Sequence, residues 1–486
     1  MNLDNFVNNL RKEMRKDAGI DGDAQRIGQL VWLLFLKIYD SLEEDWEVEN
    51  ENYVSIIPEN LKWRNWAIDN KDGKALTGDD LLKFVNNELF ETLKNIEITE
   101  DTPQNQIIVK EIFQEANNYM KDGIILRKVI NKINELNFDE YEDRHVLGDI
   151  YEIILKELQS AGDSGEFYTP RPITDFMAQV LNPQLGNKVG DFACGTGGFL
   201  ISAISVLKKQ AKTVEDEEIL HNSVFGIEKK SLPYLLCVTN MLLHEIENPN
   251  IIHGNSFDQN VKDYSENDKF DIVLMNPPFG GSEDDIVLNS FPVALRTKET
   301  ADLFMNVIMY RLKQNGKAGV VLPNGFLSGT DEAKTNIKKK LIEEFNLHTI
   351  VRFPKGVFLP YNDIPVNLLF FDKTESTKNI WYYNINPPKG RKNFTKKNPL
   401  TSEHLRELML WWDNRQTNDN AFNINIDEII DNDYNLDIHE KINTDFLIYD
   451  SPNELLEDYI KQKDFLSNKM DKIIGDIKKI LEMENL

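Results

Sequence analysis

The sequence predicts an α/β protein: a seven-stranded, mostly parallel sheet with helices on both faces, preceded by an all-helical N-terminal domain and followed by a C-terminal helical extension. Three observations carry this expectation. Residues 1–160 show helical periodicity, with Ile27, Leu30, Val31, Leu34, Ile38 and Leu42 at spacings of three and four, and few strand-like alternations. Beyond the small polar stretch 160–165, short apolar runs alternate with helical ones, which is the pattern of βα units. From about residue 453 the pattern becomes helical again.

Composition bounds the answer before any motif does. The chain has 486 residues, 41% hydrophobic and 10% aromatic, enough for a large core and several domains. Only Cys194 and Cys237 are present, without a Cys-x-x-Cys pair, so a disulfide scaffold and a thiolate zinc site are excluded and a reducing compartment fits. The longest apolar run, 30–36, is far short of the ~20 residues of a membrane span. The N-terminus has no signal-peptide pattern, so a cytoplasmic protein without membrane contact is expected. Seven histidines are scattered without metal-ligand spacing, and no metal is expected. A net charge of −26 repels nucleic acid at long range, which disfavours a lone sequence-specific DNA binder.

In chain order, the helical domain is expected over 1–160, its turns at 21–23 and 69–73, with Asp80, Glu88 and Glu97 on solvated faces. Residues 161–385 form the sheet domain. Its strands are expected just before Asp191 and at 224–227, 251–253, 270–275, 318–322, 349–353 and 366–371, the last two as an antiparallel edge pair for want of a helix between them. A basic loop and an acidic, asparagine-rich connecting region fill 386–452, and 453–486 is a helix suited to subunit assembly.

The glycine loop Asp191-Phe-Ala-Cys-Gly-Thr-Gly-Gly-Phe199 lies between a strand and a helix, where a doubly wound sheet binds ligands. Leu200 occupies the place of the third glycine in the dinucleotide fingerprint, and no P-loop exists, so NAD and ATP fit poorly. Glu228, at the end of the next strand, is placed to accept from both hydroxyls of a ribose. Two acids flanking the loop would repel pyrophosphate and attract the ammonium and sulfonium of S-adenosyl-L-methionine. The plain alternative is a tight strand-to-helix turn without a ligand.

The buried strand 270–275 runs into Asn276-Pro277-Pro278-Phe279. Consecutive prolines remove two backbone donors and fix φ, so the turn offers carbonyl acceptors and the Asn276 side chain to an exocyclic amine. If Asn276 Oδ1 and the Pro277 carbonyl each accept one N–H, the amine nitrogen moves towards tetrahedral geometry and its lone pair becomes available. Phe279 offers a face on which an extruded base can stack. A structural turn is the alternative for a lone Pro-Pro pair, and the neighbouring Asn, Phe and glycine loop weigh against it.

Together, Asp191-Phe-Ala-Cys-Gly-Thr-Gly-Gly-Phe-Leu200, Asn276-Pro-Pro-Phe279 and the upstream Gly165-Glu-Phe-Tyr-Thr-Pro-Arg-Pro172 resemble the modification subunit of type I restriction-modification systems, an N6-adenine DNA methyltransferase of the gamma motif order. Further similarity lies in Asn240-Met-Leu-Leu-His244 and Gly319-Val-Val-Leu-Pro-Asn-Gly325. The resemblance implies a class I S-adenosylmethionine-dependent methyltransferase fold. It implies that Glu166, Phe167, Tyr168, Thr169, Pro170 and Arg171 wrap the methionine end of the cofactor. By the same likeness Asp191, Ala193, Gly195, Thr196, Gly197 and Gly198 lie against the cofactor, Glu228 holds its ribose and Asn255 faces its adenine. Asn276, Pro277, Pro278 and Phe279 would be catalytic. Phe192 departs from a common proline and Asn255 from a common Asp, although an Asn can still accept through its carbonyl oxygen.

The resemblance also implies partners: double-stranded DNA with a flipped adenine, a specificity subunit bound by two modification subunits, and a restriction subunit. The acidic C-terminal region leaves no room for a target-recognition domain, so target choice would reside in another polypeptide. Lys389, Arg391, Lys392, Lys396 and Lys397 form a candidate anchor for DNA phosphates, or an ordinary solvated loop. Along 453–486, Tyr459, Leu466, Met470, Ile473, Ile477 and Ile480 fall on heptad seam positions and pack either on a partner or on this chain's own core. A protein-glutamine N5-methyltransferase is the nearest rival, though such enzymes are shorter and use Tyr as the aromatic. A catalytically silent scaffold of the same fold is the other.

Overall fold

The computed structural model describes residues 3–69, 75–136, 151–154, 168–359, 362–388 and 390–439, and within the last segment Leu456, Ile460, Lys463 and Met470. The chain divides into two compact units, Met1–Asp437 and Ile438–Leu486. In the second, Leu456, Ile460 and Met470 are helical and exposed. Of the expected seam positions, Met470 is among these, while Tyr459, Leu466, Ile473, Ile477 and Ile480 lie outside the described residues.

Within the first unit, every described element before the sheet is helical. α1 (Leu3–Met14) and α2 (Asp23–Glu49) open the chain. The predicted stripe of Ile27, Leu30, Val31, Leu34, Ile38 and Leu42 is buried, and so are Trp32, Phe35 and Tyr39 between its members, because helices cover α2 on more than one side. α3 (Gln104–Glu115) and α4 (Gly123–Asn134) follow. Lys37 of α2 donates to the carbonyls of Ile133 and Leu136 at 2.8 and 2.6 Å, placing a cation on the negative end of α4.

The sheet is built from β1 (Val189–Asp191), β2 (Val224–Glu228), β3 (Ile251–His253), β4 (Phe270–Met275), β5 (Leu312–Pro323), β6 (Asn346–Arg352), β7 (Val366–Asp372), β8 (Asn379–Asn384) and β9 (Ala421–Asn425). Their order is β3-β2-β1-β4-β5-β7-β6-β8-β9. The strands from β3 to β5 pair in parallel. β7 is antiparallel to both β5 and β6, as the absence of a helix between the last two expected strands requires.

Two features differ from the expectation. Nine strands form the sheet instead of seven, and the β6–β7 pair is interior, because β8 pairs parallel with β6 and β9 antiparallel with β8. These added strands were hidden because Asn379–Asn384 and Ala421–Asn425 are short and rich in asparagine, a loop-like composition, while Ile380, Tyr382, Ala421 and Phe422 are buried by partners distant in sequence. The boundary expected at 385 therefore lies between two hydrogen-bonded strands. No helix among the described residues is long and apolar enough to cross a membrane.

Candidate functional site

The order of the sheet reverses between β1 and β4, which are neighbours with Val189 beside Ile272 and Gly190 beside Val273. A crevice outside the carboxyl ends of two such strands is where doubly wound sheets hold ligands. The glycine loop leaves β1 and the Asn-Pro-Pro-Phe turn leaves β4, so the two motifs face one cavity of about 300 Å³. Thr169, Asp191, Ala193, Gly195, Thr196, Gly198, Glu228, Asn255, Asn276 and Pro278 are on its wall.

Backbone geometry shapes the loop. Gly195 and Gly197 have φ of 54° and 80°, a region that favours glycine. The helix α5 (Arg171–Leu181) precedes β1, and Gly197 caps the next helix, α6 (Gly198–Lys208). A Cβ on Gly197 would lie 2.9 Å from Cys237 Sγ and 2.9 Å from Met241 Cε, so this glycine admits the helix α7 (Ser231–Leu243). Asn240 of α7 donates from Nδ2 to the Thr196 carbonyl at 2.9 Å, fixing the loop from behind.

Both acids are tied to the backbone. Glu228 accepts Gly195 N–H at 2.9 Å through Oε2 and Lys230 N–H at 2.7 Å through Oε1. Asp191 Oδ1 accepts Ala193 N–H at 3.2 Å. Burial, reinforced by the neighbouring Glu228, holds the Asp191 carboxyl well above the usual carboxylate range. Asn255 Oδ1 accepts Phe257 N–H at 3.2 Å, so its carbonyl oxygen already serves the local turn and its Nδ2 is the donor it can offer.

At the end of β4, Asn276 Nδ2 donates to Thr169 Oγ1 at 3.0 Å. Asn276 Oδ1 is buried with no hydrogen-bond partner among the described residues. Pro277 is buried and Pro278 half-buried. Phe279 stands edge-to-face with Phe358, their ring centroids 6.2 Å apart.

Of the segment 168–171, Thr169 is on the cavity wall, while Tyr168 and Arg171 turn to Glu152. Tyr168 OH donates to Glu152 Oε1 at 2.6 Å, Arg171 Nε donates to Oε2 at 2.8 Å, and Arg171 Nη1 donates to the Gly198 carbonyl at 3.0 Å. Arg171, itself held by Glu152, braces the start of α6. Glu166 and Phe167 lie outside the described residues. Glu152 carries no local signal in its helical run, whereas Asn240, a polar residue inside the apolar stretch 235–243, is the kind of position that marks a buried hydrogen bond. Phe257, Thr300 and Phe304 also reach the cavity and are indistinguishable in sequence from core residues.

Arg391, Lys392, Lys396 and Lys397 are exposed, and Lys389 lies outside the described residues. Buried Phe394 pins this loop, its N–H donating to the Lys355 carbonyl at 3.0 Å. Lys355 precedes Phe358, so one segment supports both the basic loop and the Phe279 ring.

Known proteins resemble this chain in sequence and fold. The N-6 DNA methylase family matches residues 142–447, and the HsdM N-terminal domain matches residues 3–133. The chain is 47% identical over 487 residues to the EcoEI type I restriction enzyme methylase subunit of Escherichia coli, covering 98% of each. It superposes with TM-score 0.78 and 43% identity on a modification subunit of a putative type I restriction enzyme from Vibrio vulnificus YJ016, over 88% of this chain and 92% of that one. A chain from a type I restriction-modification system, solved for its complex assembly and conformational transition, gives TM-score 0.82 and 32% identity over 98% of both.

With the sheet order, these likenesses define a class I methyltransferase fold behind a helical N-terminal region. The chain belongs to the N-6 DNA methylase family, within it to the modification subunits of type I restriction-modification systems, and is a DNA methyltransferase.

Proposed function

We propose that this chain transfers a methyl group from S-adenosyl-L-methionine to the N6 amino group of adenine in DNA, at sites chosen by a separate specificity subunit. The observation that carries this reading is Asn276 Oδ1, a buried acceptor without a partner among the described residues, on the wall of the cavity that also holds Glu228 and Asn255. An unsatisfied buried acceptor costs about 1 to 3 kcal/mol, and an incoming N–H relieves that cost.

The residues present fit the cofactor. Glu228 is anchored by two backbone amides with its carboxylate on the cavity wall, where it can accept from ribose hydroxyls, and a cationic group beside buried Asp191 would favour the ionised form that burial disfavours. Bound S-adenosyl-L-methionine would supply a methyl group on a positively charged sulfur. Asn276 and the Pro277 carbonyl would then accept the two amine hydrogens, prolines 277 and 278 would keep competing donors away, and Phe279 would stack on the flipped base. Arg391, Lys392, Lys396 and Lys397, with Lys389, would hold DNA phosphates against the repulsion of an acidic chain. The names of its relatives, methylase subunits of type I restriction enzymes, support assembly with other subunits; the motif resemblance adds the finer reading of a specificity subunit bound by two modification subunits, and of a restriction subunit.

The test is Asn276→Ala, assembled with its specificity subunit. S-adenosyl-L-methionine affinity by calorimetry should stay near that of the parent, while tritium transfer into DNA falls by at least ~100-fold. Nucleoside mass spectrometry of the parent's product should show N6-methyladenine. Full transfer by the variant, or a different methylated product, overturns the reading.

A further inference from the structure

A second concavity, a groove of about 670 Å³, lies where the helical region meets the sheet-bearing part of the same unit. The end of α2, the loop after it, the turn leading into α3 and Glu247 of the α7–β3 connection form its walls. It takes no part in the chemistry above. Glu49, Glu97, Asp101 and Glu247 ring it, no Lys, Arg or His lines it, and none of the four carboxylates is paired with a cation among the described residues. Exposed Val54 and the half-buried ring of Tyr53 supply apolar surface, and the Tyr53 hydroxyl points away to Glu43 Oε1 at 2.9 Å.

Among the described residues, two polar atoms at this groove lack partners. Trp46 is 6% exposed and its indole Nε1 has no acceptor, and Asn105 Oδ1 has no donor. The first needs an acceptor and the second a donor, and a buried polar group without either is costly. An inorganic cation or a polyamine answers the carboxylates yet has no acceptor for Trp46. A peptide answers all three: a backbone carbonyl for Trp46 Nε1, a backbone N–H for Asn105 Oδ1 and basic side chains for the acidic rim.

We infer that this groove is the docking site for a basic, extended segment of a partner subunit, which on binding ties the helical N-terminal region to the methyltransferase sheet. The inference deepens the proposed function by naming a contact surface within the assembly, and it rests on that reading. The −26 net charge of the chain adds long-range attraction, so rim charges should act mainly on the association rate and its salt dependence, and Trp46 on dissociation.

Carbodiimide-driven labelling of carboxylates with glycine ethyl ester, read by peptide mass spectrometry, tests this on the free chain and on the purified complex. Glu49, Glu97, Asp101 and Glu247 should be protected in the complex, and carbodiimide alone should couple at least one of them to a partner lysine. Glu97→Gln with Glu247→Gln should weaken association roughly tenfold. Trp46→Phe, which alters no charge, should weaken it by a similar factor, about the value of one hydrogen bond. Glu215→Gln with Glu217→Gln, the same charge change on the exposed helix Val214–His221, is the control and should do nothing. Equal labelling in both states, or variants no weaker than the control, overturns the inference even if the complex is fully active. A complex that protects the four carboxylates yet transfers no methyl group upholds it and counts against the proposed function instead.

Discussion

Asn276 Nδ2 donates to Thr169 Oγ1 at 3.0 Å, a bond that leaves the other end of the Asn276 amide, Oδ1, as the acceptor on the cavity wall. Thr169 therefore sets which way round the Asn276 amide is held. Thr169→Val keeps the shape and removes the acceptor. Methyl transfer should fall about 10- to 100-fold at saturating cofactor, with the S-adenosyl-L-methionine dissociation constant changed far less. Single-turnover transfer beside calorimetry measures both, and an equal loss in the two would assign Thr169 to cofactor binding instead.

Gly197 faces helix α7 and stays out of the cavity lining, so Gly197→Val acts through packing. The φ of 80° costs a β-branched residue roughly 1–2 kcal/mol, and overpacking against Cys237 and Met241 adds about 1–3 more. The variant should melt at a clearly lower temperature and lose cofactor affinity along with stability. A variant with unchanged melting and lost binding would place the side chain in the cavity after all.

Asp302, on the helix Thr300–Arg311, is a buried carboxyl raised from its ordinary 3.8 to about 7, chiefly by burial and despite Lys334 nearby. The folded state thus binds this proton more tightly than the unfolded state. Its contribution to stability is greatest below pH 4, shrinks as pH climbs to 7, and is lost above. In urea titrations from pH 5 to 8, Asp302→Asn should gain on the parent as pH rises. A difference between the two that does not vary with pH refutes the assignment.

The exposed helical positions Leu456, Ile460 and Met470 fit a role for 453–486 in assembly. Deleting 453–486 should leave a folded chain that binds S-adenosyl-L-methionine but neither co-purifies with the specificity subunit nor methylates DNA. An insoluble product would instead make the segment part of this chain's own core, and an intact, active complex would exclude both roles.

Local pattern along the chain was enough for whatever depends on sequence neighbours. The three-and-four spacing from Ile27 to Leu42 gave α2, the apolar runs gave strands β1 to β7, and the two motifs at strand ends marked the candidate site, because periodicity and turn chemistry are local properties. Tertiary structure decided the rest. β8 and β9 are strands only because β6 offers them an edge, and residues 191 and 276 share a cavity only because β1 and β4 are neighbours in the sheet. That Gly197 admits a helix and that Arg171 answers Glu152 both follow from contacts between segments apart in the sequence. A hydrogen bond or a steric limit of that kind exists only once two segments meet, so no local pattern records it.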